Sequence, residues 1–251
     1  MSNHSRPFDS YIFPRINKKV RNRSVLAAMT NKQSHSDGVL SDREIKWLTR
    51  RAKDGFGMIT TAATHVSKYG QGWEGEFGIF DDLFIDKLKV LTTNIHQHDC
   101  LILAQLFHGG MRAPEKLTGK TPISASRIPC EQSLTGFTSS ANTKEIKQLI
   151  NDFQSAALRS VEAGFDGIEL HGAHGYLISQ FLGKKTNLRD DNWGGDISGR
   201  SKFLVTIISE IKKVVPESFI VGVRMSPEIK ELGIYLNDSL KLARILSKTG
   251  I

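Results

Sequence analysis

Long apolar runs are missing from this chain of 251 residues. A bilayer crossing needs roughly 20 consecutive apolar residues, and the strongest run, Leu101–Phe107, is already interrupted by Gln105. A transmembrane helix is excluded, and no membrane partner is expected. No secretory leader is expected either: Met1–Arg6 is polar and leads into a mixed segment without an apolar core, so the expected compartment is the cytoplasm. Cysteine is nearly absent. Cys100 and Cys130 allow one disulfide at most, and buried thiols are the expected state. With 7 prolines, 39% hydrophobic and 24% charged residues, the composition excludes disordered and collagen-like chains. No low-complexity linker divides it, which makes 1–251 a single domain.

The charge is unbalanced, at +8, and a basic chain raises the question of nucleic acid. Its distribution answers it. The cations occur as scattered pairs, Lys18-Lys19, Arg50-Arg51, Lys184-Lys185 and Lys212-Lys213, which read as solvated faces rather than a binding stripe. No nucleic-acid partner is expected. The same surplus is compatible with steering an anionic cofactor or substrate into a cleft.

What is present is alternation. Five short apolar segments, Ser24–Met29, Met58–Thr64, Leu101–Phe107, Gly167–Leu170 and Phe219–Met225, are separated by helical patterns, as in a parallel sheet of βα units. Ser41 with Glu44 predicts a capping box that opens a helix to about Lys53, and Asp86 to about His98 forms the next. Asn142 with Glu145 opens a longer one, with Ile146, Leu149, Ile150, Phe153, Ala156, Ala157 and Val161 spaced by three and four. Gly199–Val215 and Asn237–Lys248 complete the set. Three helices end alike, at Gly55, Gly164 and Gly250, each followed by an apolar residue, as a left-handed C-terminal glycine requires. A complete eight-unit α/β barrel typically takes about 250 residues. Here five units use the whole chain, so Ile251 reads as the first residue of a sixth strand, and units six to eight are absent.

Polar residues gather at the C-terminal ends of these strands: Thr30, Gln105, His171, His174 and Arg224. In α/β folds that edge carries active sites. Each residue alone is ordinarily structural; their joint placement is what points to a site. In Gly167–Leu182, His171 and His174 are separated by Gly172 and Ala173, which leaves room for both imidazoles to approach one ligand, and Tyr176 follows within reach. The pair invites a metal, but no helical His-Glu-x-x-His or cysteine pair accompanies it, and none is expected. Two imidazole donors can instead hold a carbonyl or nitro oxygen while a phenol delivers a proton.

The segments Asn22–Thr30, Gln105–Gly110, Glu169–Leu177 (with His171-Gly172-Ala173-His174-Gly175-Tyr176 at its centre), Asn187-x-Arg189-x-Asp191-x-Trp193-Gly194-Gly195 and Val223-Arg224 resemble the old yellow enzyme family. The similarity runs in order from about Phe13 to Ile251. It implies a (β/α)8 TIM barrel of the FMN-linked oxidoreductase type, of which this chain holds about the first five units. It also implies FMN as cofactor, NAD(P)H as hydride donor and an activated alkene, such as an α,β-unsaturated carbonyl or nitro compound, as substrate. By the same resemblance Ala28 and Thr30 match positions touching the flavin, Ala62 a small residue beneath its ring, and Gln105 the amide on its pyrimidine edge. Arg224 matches the cation near N1 and O2, His171 and His174 the pair gripping the substrate oxygen, and Tyr176 the proton donor.

Departures accompany the likeness. Ala28 stands where many members have proline, Met111 occupies the position of an arginine that here follows as Arg112, and Gly183-Lys184-Lys185 replaces a Ser-Pro or Asp-Pro stretch. The family holds the flavin phosphate on loops after the last strands, and this chain has no replacement for them. Association with a second copy or with a complementing C-terminal chain is therefore expected. Two other readings compete with an ene-reductase. One is a non-catalytic remnant unable to hold flavin; the other is the N-terminal part of a larger dienoyl-thioester reductase-like enzyme.

Overall fold

The computed structural model describes residues 6–251, so most of the polar opening read as lacking a leader, Met1–Ser5, lies outside the described residues. The chain enters through an antiparallel hairpin, β1 (Tyr11–Phe13) paired with β2 (Lys18–Val20), that the sequence did not announce. Then come β3 (Val25–Leu26), α1 (Asp42–Lys53), β4 (Met58–His65), α2 (Ile85–His96), β5 (Leu101–Phe107), α3 (Glu115–Thr118), β6 (Ile123–Ser124) and β7 (Ser139–Ser140). The remainder is α4 (Thr143–Glu162), β8 (Gly167–Gly172), α5 (Leu177–Leu182), α6 (Ile197–Lys212), β9 (Ile220–Met225) and α7 (Leu236–Leu246). The main sheet has five parallel strands in the order β3-β4-β5-β8-β9, while β6 and β7 form a separate pair. It is the arc of a (β/α)8 barrel, five strands with helices on the outside.

The strands form where they do because their side chains are buried on both faces. Ile59, Ile102, Ala104, Leu106, Ile168 and Leu170 are all sealed in the core, against Leu48, Leu88, Phe153 and Ile207 from the outer helices. One strand is shorter than the predicted Ser24–Met29. Only Val25 and Leu26 pair, with Met58 and Ile59, and Met29 is left half exposed. At the other edge β9 is only partly buried throughout. Strand β8 runs two residues further than predicted, which puts His171 inside the sheet rather than in the loop after it. Gly167 is required there: a Cβ would come within 2.3 Å of the Ile220 carbonyl oxygen.

Helix ends follow their caps. The Asn142–Glu145 box closes in both directions, at 2.9 and 3.0 Å. At α1 only half of the predicted box forms. Ser41 Oγ accepts from the Glu44 N–H, but the Glu44 carboxylate turns away to accept from Asn31 and Ser34, and so pins the loop that follows β3. The helix predicted from Gly199 to Val215 begins earlier, at Ile197, because the Asp196 carboxylate accepts from the Gly199 N–H, and it ends at Lys212. Gly55, Gly164 and Gly250 all have positive φ, at 119°, 82° and 77°. Ile251 packs half-buried against the core without pairing, and Cys100 and Cys130 are free, buried thiols. No helix among the described residues is long and apolar enough to cross a membrane.

Candidate active site

Loops leave the C-terminal ends of all five strands on the same side, and the candidate residues are spread along that edge. Thr30 stands exposed beyond β3, and Ala28, half-buried, offers its carbonyl oxygen to Arg224 Nη1 on β9 at 3.1 Å. That bond joins the loops and ends of the two outer strands, so the sheet is curled strongly enough for its first and last members to meet. Among the described residues no side-chain hydrogen bond joins Thr30 to the other candidates.

On β4 the register against β5 slips: Thr60 faces Leu103, but the next pair is Ala63 with Gln105. The extra residue is a bulge, which re-aims side chains at the mouths of barrels. Thr61 and Thr64 satisfy the Ala62 carbonyl with their hydroxyls, at 2.8 and 3.1 Å, and the Gln105 N–H donates to Thr61 Oγ1. The small side chain of Ala62 is thereby held at the bulge. Gln105 itself is buried, with Nε2 donating to Glu169 Oε1 on β8 at 2.6 Å; among the described residues nothing donates to its carboxamide oxygen.

The densest part lies after β8. His171 Nδ1 accepts from the Ala173 N–H at 3.3 Å, which leaves the proton of the neutral ring on Nε2. His174 takes a left-handed conformation, φ 58°, followed by Gly175 at 79°, and its N–H donates to Ser226 Oγ in the loop after β9. A non-glycine residue in that region costs on the order of 1 kcal/mol or more. The reverse turn it makes is what brings three rings together. The centroids of His171 and His174 are 5.1 Å apart, those of His171 and Tyr176 4.9 Å, and those of His174 and Tyr176 6.5 Å. Phe107 packs edge-on against Tyr176 at 4.5 Å, and Trp73 closes the same side at 5.3 Å from Phe107.

Electrostatics keep this cluster uncharged. Burial, reinforced by His174, Arg224 and Arg112, pushes the His171 imidazole down to about 3. Burial and the same two arginines lower that of the more exposed His174. Both rings are neutral donors at neutral pH. Burial pushes the Tyr176 phenol up, Arg112 pulls it down and Glu76 pushes it up again, so it stays protonated.

Two residues that frame this cluster were not among the site residues read from the sequence. Gln180, fully buried in α5, makes four hydrogen bonds. Its oxygen accepts from the Met111 N–H and Ser124 Oγ, and its nitrogen donates to the Gly109 and Gly175 carbonyls. It ties the loop after β5 to the loop that carries Tyr176. A glutamine inside the apolar stretch Leu177–Leu182 was the available signal. Arg112, one place after the expected arginine position, donates from Nη1 to the His174 carbonyl at 2.7 Å, with its guanidinium carbon 4.9 Å from the Tyr176 ring centroid.

The chain is similar to known proteins in both sequence and fold. Residues 15–235 match the NADH:flavin oxidoreductase / NADH oxidase family. A probable NADH-dependent flavin oxidoreductase of Bacillus subtilis is 35% identical over 238 residues, 90% of this chain and 62% of that protein. The chain therefore spans less than two thirds of that relative's length. Among solved structures, the old yellow enzyme homologue of Zymomonas mobilis superposes with a TM-score of 0.89 at 27% identity, covering 98% of this chain and 71% of the other. Morphinone reductase in complex with tetrahydroNAD gives 0.88 at 25% identity, covering 99% and 72%.

Proposed function

The chain belongs to the NADH:flavin oxidoreductase / NADH oxidase family, and from that membership we propose that its site serves FMN-dependent reduction of activated alkenes, with hydride drawn from NAD(P)H. The substrates are α,β-unsaturated carbonyl or nitro compounds. The observation that carries the reading is the meeting of two neutral imidazoles and a phenol, all within 6.5 Å between centroids, over an aromatic wall.

The donor set at the sheet edge fits a flavin ring. Arg224 spends one N–H on Ala28 and, among the described residues, makes no ion pair, so the rest of its guanidinium is free for an electron-rich pyrimidine edge. Gln105 presents an open carboxamide oxygen, Thr30 an exposed hydroxyl, and Ala62 a side chain small enough to lie under a flat ring. FMN, when bound, supplies the two-electron hydride relay between nicotinamide and alkene. A cation beside its pyrimidine edge favours the negative charge of the reduced state.

The chain's own groups do the rest. His171 donates from Nε2, with His174 as second donor, to the carbonyl or nitro oxygen of the alkene. Because both rings are neutral, their bonds strengthen as that oxygen gains charge, so they favour the transition state over the bound substrate. Tyr176 gives its phenolic proton to the α-carbon. Phe107 and Trp73 exclude water from the face on which that proton moves.

Phenols that imitate the enolate oxygen test the assignment of the histidines. Charge-assisted hydrogen bonds contribute about 1.5–3 kcal/mol each. His171→Ala and His174→Ala should each weaken phenol binding, followed by perturbation of the flavin spectrum, by roughly tenfold or more. Unchanged affinity in both variants would remove the pair from substrate binding.

A further inference from the structure

Arg112 is a charged side chain beside the proposed proton donor that the reaction, as set out above, does not use. Its guanidinium carbon lies 4.9 Å from the centroid of the Tyr176 ring, and its Nη1 is fixed to the His174 carbonyl at 2.7 Å. The placement is built from both sides. Gln180 anchors Arg112's own loop through the Met111 N–H and the Tyr176 loop through the Gly175 carbonyl, so guanidinium and phenol are held in one frame. Among the described residues no carboxylate forms an ion pair with Arg112.

We propose that Arg112 is a positioning residue that acts through Tyr176, steadying the phenolate formed when the phenol gives up its proton. This rests on the reading of Tyr176 as general acid. In that step the O–H bond of Tyr176 breaks and a C–H bond forms at the α-carbon of the alkene. The electron pair left on the oxygen is neutralised when solvent returns a proton. Toward a neutral ring a cation feels only the quadrupole; toward a phenolate it feels a full charge, so the attraction grows as the proton leaves.

The charged and titratable groups around Tyr176 sort into opposing sets. Arg112 favours the phenolate and the buried Glu76 disfavours it, while His171 and His174 are neutral neighbours. Arg112 is exposed, so solvent tempers its effect. A cation over an aromatic ring at such a site acts on the order of half a pKa unit, or roughly two- to fivefold in rate.

The test uses the full chain with 3-fluorotyrosine incorporated, its Tyr176 fluorine resonance assigned by loss in Tyr176→Phe. R112Q keeps a donor for the His174 carbonyl and removes the charge; R112K keeps the charge. The expected result is an upward shift of the Tyr176 titration by about half a unit in R112Q, restored in R112K and shrinking at high salt, where exposed charges are screened. The alkene half-reaction of the flavin-loaded R112Q protein should slow by roughly two- to fivefold across its pH profile. A Tyr176 titration that is the same in R112Q as in the parent overturns the proposal. That outcome differs from failure of the ene-reductase reading, which would show as a parent protein that reduces no alkene while the titration still shifts.

Discussion

Arg224 and Ala28 are 196 residues apart and are joined by a hydrogen bond of 3.1 Å between the guanidinium and the backbone carbonyl. The bond joins the loop after β3 to β9, and among the described residues the Arg224 side chain makes no other hydrogen bond or ion pair. Replacing Arg224 with methionine should weaken FMN binding by roughly 10- to 100-fold, the loss of one charge-assisted bond of about 1.5–3 kcal/mol. It should also lower the flavin's reduction potential. A titration of apoprotein with FMN, followed by flavin fluorescence, measures the first. Equal affinity in parent and variant would detach Arg224 from the cofactor.

Buried histidines give the fold an acid limit. His65, His108 and His171 are each pushed down to about 3, burial being the largest cause. Between that value and the unfolded value of about 6.5 the unfolded chain holds the proton and the folded one does not, so stability is present above the window and lost as pH falls through it. Each such group contributes a slope of about 1.4 kcal/mol per pH unit inside the window. Urea midpoints measured from pH 7 to pH 4 should fall steadily, and His108→Gln should flatten the decline. A stability independent of pH over that range would mean these rings are solvated.

The four bonds of Gln180 predict a stability effect larger than its size suggests. In Gln180→Leu two buried carbonyls, one N–H and one hydroxyl lose their partner, a cost of about 2–4 kcal/mol. Gln180→Glu should fail as well, since a carboxylate accepts from Met111 and Ser124 but has no proton for Gly109 and Gly175. Urea unfolding reads both. A loss under about 0.5 kcal/mol, the range of an ordinary surface change, would show the clamp to be dispensable.

Much of this was written in the sequence. Strands Leu101–Phe107 and Gly167–Leu170 were legible because apolar runs without alternation have few other ways to be buried. That the rings of His171, His174 and Tyr176 would meet was legible because a short spacing through small residues limits where they can go. Three features were not. The bulge at Thr61–Ala62 exists only against the count of residues in β5, and a strand alone does not carry that information. Glu44 and Ser41 have the spacing of a capping box, yet burial beside Asn31 and Ser34 gave the carboxylate better partners. Arg112 sits one residue from its expected place, and only the turn at Gly110, with φ 61°, shows that the loop still delivers it to Tyr176.

Separating the two half-reactions of the Tyr176→Phe variant tests the central claim most directly. In anaerobic stopped-flow, flavin reduction by NAD(P)H and reoxidation by an α,β-unsaturated ketone are timed independently. General acid catalysis is worth about 10²- to 10⁴-fold, so the phenylalanine variant should be reduced at nearly the parent rate and reoxidised by the ketone at least about a hundredfold more slowly. Reoxidation at the parent rate would contradict the account, because the phenol that packs against Phe107 and His171 would then have no part in the chemistry.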